Sequence, residues 1–243
     1  MQPYILFDAG GTIVFPDVNV MHEVILRHGL DVSSERLKRI ATEYIVHNDE
    51  VLRDHGNVSD FSDFFRRLVE GAGVAQASVD PLLEELRRID AERSLWTFTF
   101  PWVRRALDRL RAAGYRMSVI SNADGRVRQE FADLRLVPYF DEIFDSFVVG
   151  YSKPDARLFQ HALTTLGLTP AQCVYVGDVY YIDVLGANRA GIAAVHLDPY
   201  GLYAGWKGCH IYSIGELSDL LATQGLDLAG EQFFPLRGAA AAS

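Results

Sequence analysis

Short, unbroken apolar runs separated by helical patterns constrain this chain more than any other feature. The first is Tyr4-Ile5-Leu6-Phe7, and similar runs recur at 116–120, 147–149, 173–176 and 193–197, each stopped by a polar or glycine-containing stretch. A strand with one face in water alternates apolar and polar residues, whereas a run apolar throughout is buried on both faces, as in a parallel sheet. Between the runs lie amphipathic helices. Residues 101–113 put Trp102, Val103, Ala106, Leu107, Leu110 and Ala113 on one face, with Pro101 near the start and Gly114 past the end. Residues 155–166 repeat this with Leu158, Phe159, Ala162, Leu163 and Leu166, closed by Gly167. Strand and helix alternating over 100–200 predict an α/β fold, a parallel sheet with helices on both faces.

Residues 16–95 break that pattern. They hold helical stretches at 18–28, 33–54, 60–71 and 79–93 and no strand, so the chain divides into a core, 1–15 with 96–243, and an all-helical insertion, 16–95. Downstream, the pattern predicts a short strand at 209–212, a helix at 214–222, and a tail ending in weakly ordered GAAAAS. Phe233-Phe234 in that tail reads as tucked against the core.

The 243 residues carry 23 Lys and Arg against 32 Asp and Glu, a net charge of −9. Nucleic acid needs a dense basic surface, so this balance argues against it. The insertion sharpens the point with 10 basic and 16 acidic residues. A small acidic or phosphorylated substrate, held by one or two local cations, stays open. No apolar run approaches the roughly 20 residues that span a bilayer, and Asp8 comes too early for a signal-peptide core, so the chain reads as cytoplasmic, a monomer or homodimer without membrane contact. Cys173 and Cys209 are too few for a disulfide framework and read as packed thiols.

In open parallel sheets ligands bind beyond the carboxyl ends of the strands, which singles out Asp8, Ser121, Lys153 and Asp178. Asp8 is a carboxylate able to attack phosphorus or carbon. Asp178 and Asp183 offer further oxygens to Mg²⁺, Ser121 a hydroxyl to a substrate oxygen, and Lys153 a cation to offset its charge. Taken alone each has a structural explanation: Ser121-Asn122 as a loop or cap, Lys153-Pro154-Asp155 as a turn before a helix. Tyr180-Tyr181 either narrows the pocket or packs under the next helix. Tyr200, Tyr203 and Trp206 read as loop packing or a dimer contact.

Four segments together go further: FDAGGTIV at Asp8, VISNAD at Ser121, VGYSKPDARLF at Lys153 and VGDVYYIDVLGANRAG at Asp178 and Asp183. In this order they resemble the signature motifs of the haloacid dehalogenase-like (HAD) hydrolase superfamily, mostly phosphatases, and the resemblance covers nearly the whole chain. The insertion directly after the first motif is where the helical-cap subfamily places its lid. The resemblance implies a Rossmann-like three-layer core and a Mg²⁺-dependent hydrolase acting on a small phosphorylated metabolite through an aspartyl-phosphate on Asp8. It implies Mg²⁺ held by Asp8, the main-chain carbonyl of Gly10, and Asp178, with Asp183 nearby. Ser121 and Lys153 would bind phosphoryl oxygens and brace Asp8, and Gly11, Thr12 and Asn122 join them in binding substrate.

One position departs from the family's phosphatase pattern. The second Asp, two residues after the nucleophile, serves there as general acid and base, and here that position is Gly10. A positioned acid or base is worth about 10²–10⁴ in rate. Another group can stand in: Asp17, His22, His47, Asp49 or His55. Alternatively the leaving group departs as a stable anion, as from aryl or acyl phosphates, or the reaction differs. Family members that dehalogenate 2-haloacids without metal, or cleave phosphonates through a cap lysine, also lack this Asp. Lys38, the only lysine in the insertion, lies among Glu35, Arg36 and Arg39 and reads as solvated. A phosphate-binding protein that lost turnover is the non-enzymatic alternative.

Overall fold

The computed structural model describes residues 2–55 and 64–224. Phe233-Phe234, the GAAAAS tail, the expected helix start at Asp60 and the side chain of His55 lie outside the described residues. In chain order the elements are β1 (Tyr4–Phe7), α1 (Val18–Arg27), α2 (Ser34–His55), α3 (Phe64–Ala72), α4 (Gln76–Glu92), α5 (Pro101–Ala112), β2 (Met117–Ser121), α6 (Val127–Asp133), β3 (Ile143–Asp145), α7 (Ser146–Val149), α8 (Ala156–Leu166), β4 (Cys173–Gly177), α9 (Leu185–Arg189), β5 (Ala193–Leu197), β6 (Cys209–Ile211) and α10 (Leu217–Gln224). A π-helical turn, Tyr180–Val184, leads into α9.

The six strands form one sheet in the order β3-β2-β1-β4-β5-β6, every pair parallel. β1, β2 and β4 are buried along their whole length, which explains their unbroken apolar sequences. Phe7, the last residue of β1, lies opposite Val119 of β2 and Val176 of β4, so β2 and β4 run on by two residues and one before they too leave the sheet.

The chain separates into two compact units, Met1–Val14 with Thr99–Ser243, and Phe15–Phe98. Phe15 and Phe98 exchange main-chain hydrogen bonds at 2.8 and 3.2 Å and close the second unit's ends. That unit is helical and has its own core: Met21, Val24 and Ile25 of α1, Leu37 of α2, Leu68 and Val69 of α3, and Leu82, Leu83 and Leu86 of α4. These recur at helical spacing, so each helix turns an apolar stripe inward.

One expected strand is corrected. The run 147–149 is not a strand but most of α7, a single helical turn, and the sheet instead takes Ile143–Asp145. The Asp145 carboxylate accepts from the Phe147 N–H at 2.9 Å, and Gly150 ends the turn at a left-handed φ of 85°. Apolarity misled because Phe147 and Val148 are about three-quarters exposed, at 74% and 75%.

Candidate active site

The strand order reverses between β1 and β4, where doubly wound sheets bind ligands beyond the strand ends. Asp8 directly follows β1 and Asp178 directly follows β4. After Asp8 the chain folds back on itself: Ile13 and Val14 donate to the Ala9 carbonyl at 2.8 and 2.9 Å, and Gly11 donates to Val14 at 2.9 Å. Gly11 takes a left-handed φ of 77°, and a Cβ there would lie 2.1 Å from Asp178 Oδ2, so no other residue fits. Gly10 is not left-handed. Thr12, fully buried, donates from Oγ1 to Asp178 Oδ1 at 3.3 Å.

Lys153 stands at the centre. Its buried ammonium donates to Asp8 Oδ1 at 2.5 Å, to Asp183 Oδ1 at 2.7 Å and to Tyr175 Oη at 2.9 Å. An ammonium has three donors, and all three are spent on this chain. Asp183 is held further by Tyr175 Oη at 3.0 Å and, at its Oδ2, by the Val179 N–H at 3.0 Å. A Cβ on Gly177 would lie 2.4 Å from Asp183 Cγ, so the second glycine of this pocket keeps room for that carboxylate. Tyr175 was hidden within an apolar run. The signal was its type: a tyrosine in a strand buried on both faces must find a partner for its hydroxyl.

Asn122 spends both ends of its amide on the Lys153 main chain, accepting from the N–H at 2.7 Å and donating to the carbonyl at 2.9 Å. It thereby fastens the Lys153 loop to the end of β2, where Ser121 is buried opposite Asp145. Asp145 also accepts from the Gly125 N–H at 2.9 Å, and Ser146 Oγ from Ala123 N–H at 3.0 Å, so β3 pins the loop after Ser121.

Asp8, Asp178 and Asp183 each offer an oxygen within 4.8 Å of the others. Burial pushes the Asp8 carboxyl up to about 6, with Lys153 opposing and Asp183 adding to the rise. Asp178 is pushed well above the ordinary carboxylate range by burial and then by Asp8 and Asp183. Burial alone would lower the Lys153 ammonium, but Asp183 and Asp8 outweigh it and hold it protonated. One cation therefore faces three carboxylates.

Tyr180 packs among Trp206, Tyr203, His196 and His210, with its hydroxyl on the Lys207 carbonyl at 2.7 Å. Tyr203 is buried in the same cluster, while Tyr200 is exposed. Cys173 and Cys209 are buried free thiols.

Within the helical unit, Asp17 caps α1, accepting from the Asn19 and Val20 N–H groups at 3.0 and 3.3 Å. His22 Nδ1 meets the Val32 carbonyl at 2.7 Å. His47 is exposed, Asp49 is buried on α2, and Lys38 pairs with Glu35 at 3.7 Å.

The chain matches the haloacid dehalogenase-like hydrolases over residues 3–191. It belongs to that family. Among curated relatives, this HAD-like chain is 37% identical over 97 residues to a glyceraldehyde 3-phosphate phosphatase from Methanothermobacter thermautotrophicus, 40% of this chain and 43% of that one. It spans about half the length of the curated relatives it matches. Among solved structures it is similar to a 2-haloacid dehalogenase from Pseudomonas syringae, with 25% identity and a TM-score of 0.55 over 92% of this chain and 99% of that chain. The HAD-hydrolase YfnB from Bacillus subtilis, bound to magnesium, shares the fold at 18% identity and a TM-score of 0.62, over 91% of this chain and 100% of that one. A Rossmann-like sheet with an inserted helical region is common ground, and no helix among the described residues is long and apolar enough to cross a membrane.

Proposed function

We propose that this HAD-like hydrolase is a Mg²⁺-dependent phosphatase acting on a small phosphorylated metabolite, with Asp8 as nucleophile, the helical unit as its lid and the cytoplasm as its compartment. The observation that carries the reading is the cluster of Asp8, Asp178 and Asp183, three carboxylates against one ammonium. Carboxylates packed this closely repel unless a cation sits among them, and an all-oxygen donor set suits Mg²⁺. Asp8, Asp178 and the Gly10 carbonyl would hold it, with Asp183 alongside. When bound, Mg²⁺ supplies positive charge to the phosphoryl oxygens.

Asp8 attacks phosphorus, forming an aspartyl-phosphate as the ester oxygen departs, and water then cleaves that intermediate. Lys153 keeps Asp8 ionised and oriented. Ser121 Oγ and the Gly10 N–H would be the donors for phosphoryl oxygens, since the Gly11 and Thr12 N–H groups are taken up by the Val14 and Ala9 carbonyls, and phosphoryl transfer depends mainly on positioning and charge neutralisation. Gly10 has no side chain to protonate the leaving oxygen, so substrates whose leaving group departs as a stable anion, such as aryl or acyl phosphates, suit the site best.

The relatives named above bear two different activities, phosphatase and 2-haloacid dehalogenase. A dehalogenase working without metal would leave Asp178 beside Asp8 uncompensated, which favours the phosphatase.

Pre-steady-state release of nitrophenolate from p-nitrophenyl phosphate, with Mg²⁺ and with chelator, tests this. A Mg²⁺-dependent burst of about one equivalent followed by slow turnover is expected if Asp8 attacks and Gly10 limits hydrolysis. Fast sustained turnover would place a substitute base elsewhere. No release in either condition overturns the reading and leaves 2-haloacids and simple phosphate binding to be assayed.

A further inference from the structure

Behind the Asp178 loop lies a buried pair of histidines that the chemistry above does not use. Gly177 of β4 is opposite His196 of β5, and His196 is opposite His210 of β6, so the two rings continue the site's row across the sheet. His196 is 1% exposed, and its Nε2 lies 2.9 Å from the Asp178 main-chain carbonyl. A carbonyl only accepts, so the His196 proton is on Nε2 and its Nδ1 is bare. That bare nitrogen lies 3.0 Å from His210 Nδ1, which must then donate to it. His210 Nε2 lies 3.3 Å from the Trp206 carbonyl, but with the ring's one proton on Nδ1 it has none to give there, so His210 is held through Nδ1 alone. Tyr180, Tyr203 and Trp206 wall the pair off, with Tyr203 at 4.2 Å and Tyr180 at 5.6 Å between ring centroids from His196.

Asp178 has little else to fix it. Its carboxylate receives Thr12 Oγ1 at a long 3.3 Å, whereas Asp183 is gripped by Lys153, Tyr175 and the Val179 N–H. We propose that the His196–His210 pair is a positioning device for Asp178: by anchoring the carbonyl of that residue it sets the direction of its carboxylate, and so couples β6 and the aromatic loop to cation affinity. Partners that orient a ligand are typically worth about 10–100-fold in metal affinity. The proposal rests on the metal reading of the carboxylate cluster.

Calorimetric titration of the full chain with Mg²⁺, beside wild type, Asp178→Asn, His196→Leu and His196→Gln, tests it without reference to activity. Wild type should bind one Mg²⁺ and Asp178→Asn should not. His196→Leu, which cannot donate, should bind about 10-fold more weakly, and His196→Gln, whose amide can still donate to the carbonyl, should stay near wild type. Equal affinity in His196→Leu and wild type overturns the proposal and leaves the metal reading standing. Absence of binding in wild type overturns the metal reading, and this proposal with it. Proton-detected NMR of the wild-type imidazoles is independent of both metal and variant folding. A slowly exchanging Nε2–H on His196 with an Nδ1–H on His210 is expected, and a proton on Nδ1 of His196 overturns the proposal.

Discussion

The Lys153 ammonium lies 2.5 Å from the Asp8 carboxylate with both side chains removed from water, 2% and 9% exposed. Breaking one partner of a buried pair strands the other. Lys153→Met should therefore leave Asp8 and Asp183 uncompensated and destabilise the protein by about 3–5 kcal/mol. Urea unfolding in chelator measures it. A loss below about 1 kcal/mol, the ordinary range for a surface ion pair, would mean that water already reaches this pair.

Asp8→Asn keeps the shape of the nucleophile and removes its charge. Turnover should vanish while the unfolding midpoint holds or rises, because one of three crowded carboxylates is gone. Phosphate release and urea unfolding on the same preparation report the two effects separately. Undiminished turnover would refute Asp8 as the nucleophile.

Adjacent glycines should respond in opposite ways. Gly11→Ala forces a left-handed residue whose Cβ would stand 2.1 Å from Asp178, so activity and stability should both fall. Gly10 is not left-handed, so Gly10→Asp is compatible with the backbone and restores a carboxylic acid where the family's phosphatases carry one. If the missing acid and base limit the rate, hydrolysis of alkyl phosphates should rise by about 10-fold or more, and with nitrophenyl phosphate the gain should fall on the slow turnover and not on the burst. Comparing kcat on the two substrates decides it. No gain on either would show that proton transfer is not limiting.

Strand ends were the most legible part of the site. Asp8, Ser121 and Asp178 stand out because apolar strands stop there, whereas Lys153 follows the 147–149 run, which is a helical turn and not a strand; the sheet's switch point still gathers Asp8, Lys153, Asp178 and Asp183 within hydrogen-bond or ligand distance. Apolarity served less well wherever it was not a sign of burial or did not stay purely apolar. The 147–149 run is exposed on a helical turn, and Tyr175 sits in a buried strand yet lends its hydroxyl to Lys153. His196 and His210 are fourteen residues apart and meet only because β5 and β6 pair in register, a relationship that no local pattern encodes.

The two cysteines give a prediction of stability against pH. Burial pushes both thiols from an ordinary value of 9.0 to about 11. At pH 8 each should carry about 100-fold less thiolate than an ordinary cysteine, so a thiol reagent should titrate neither in the native protein and both in denaturant. Their linkage to folding follows in sign. A thiol whose folded pKa is raised binds its proton more tightly in the native state, so its contribution is full below 9.0 and lost as pH rises towards 11. Stability should therefore fall between pH 9 and 11, by up to about 1.4 kcal/mol per pH unit for each thiol. Urea unfolding of wild type and of the Cys173→Ala/Cys209→Ala double variant isolates the effect, since every other titrating group is common to both. The double variant should show the shallower decline, and parallel pH profiles would mean that the thiols titrate alike in the folded and unfolded chain.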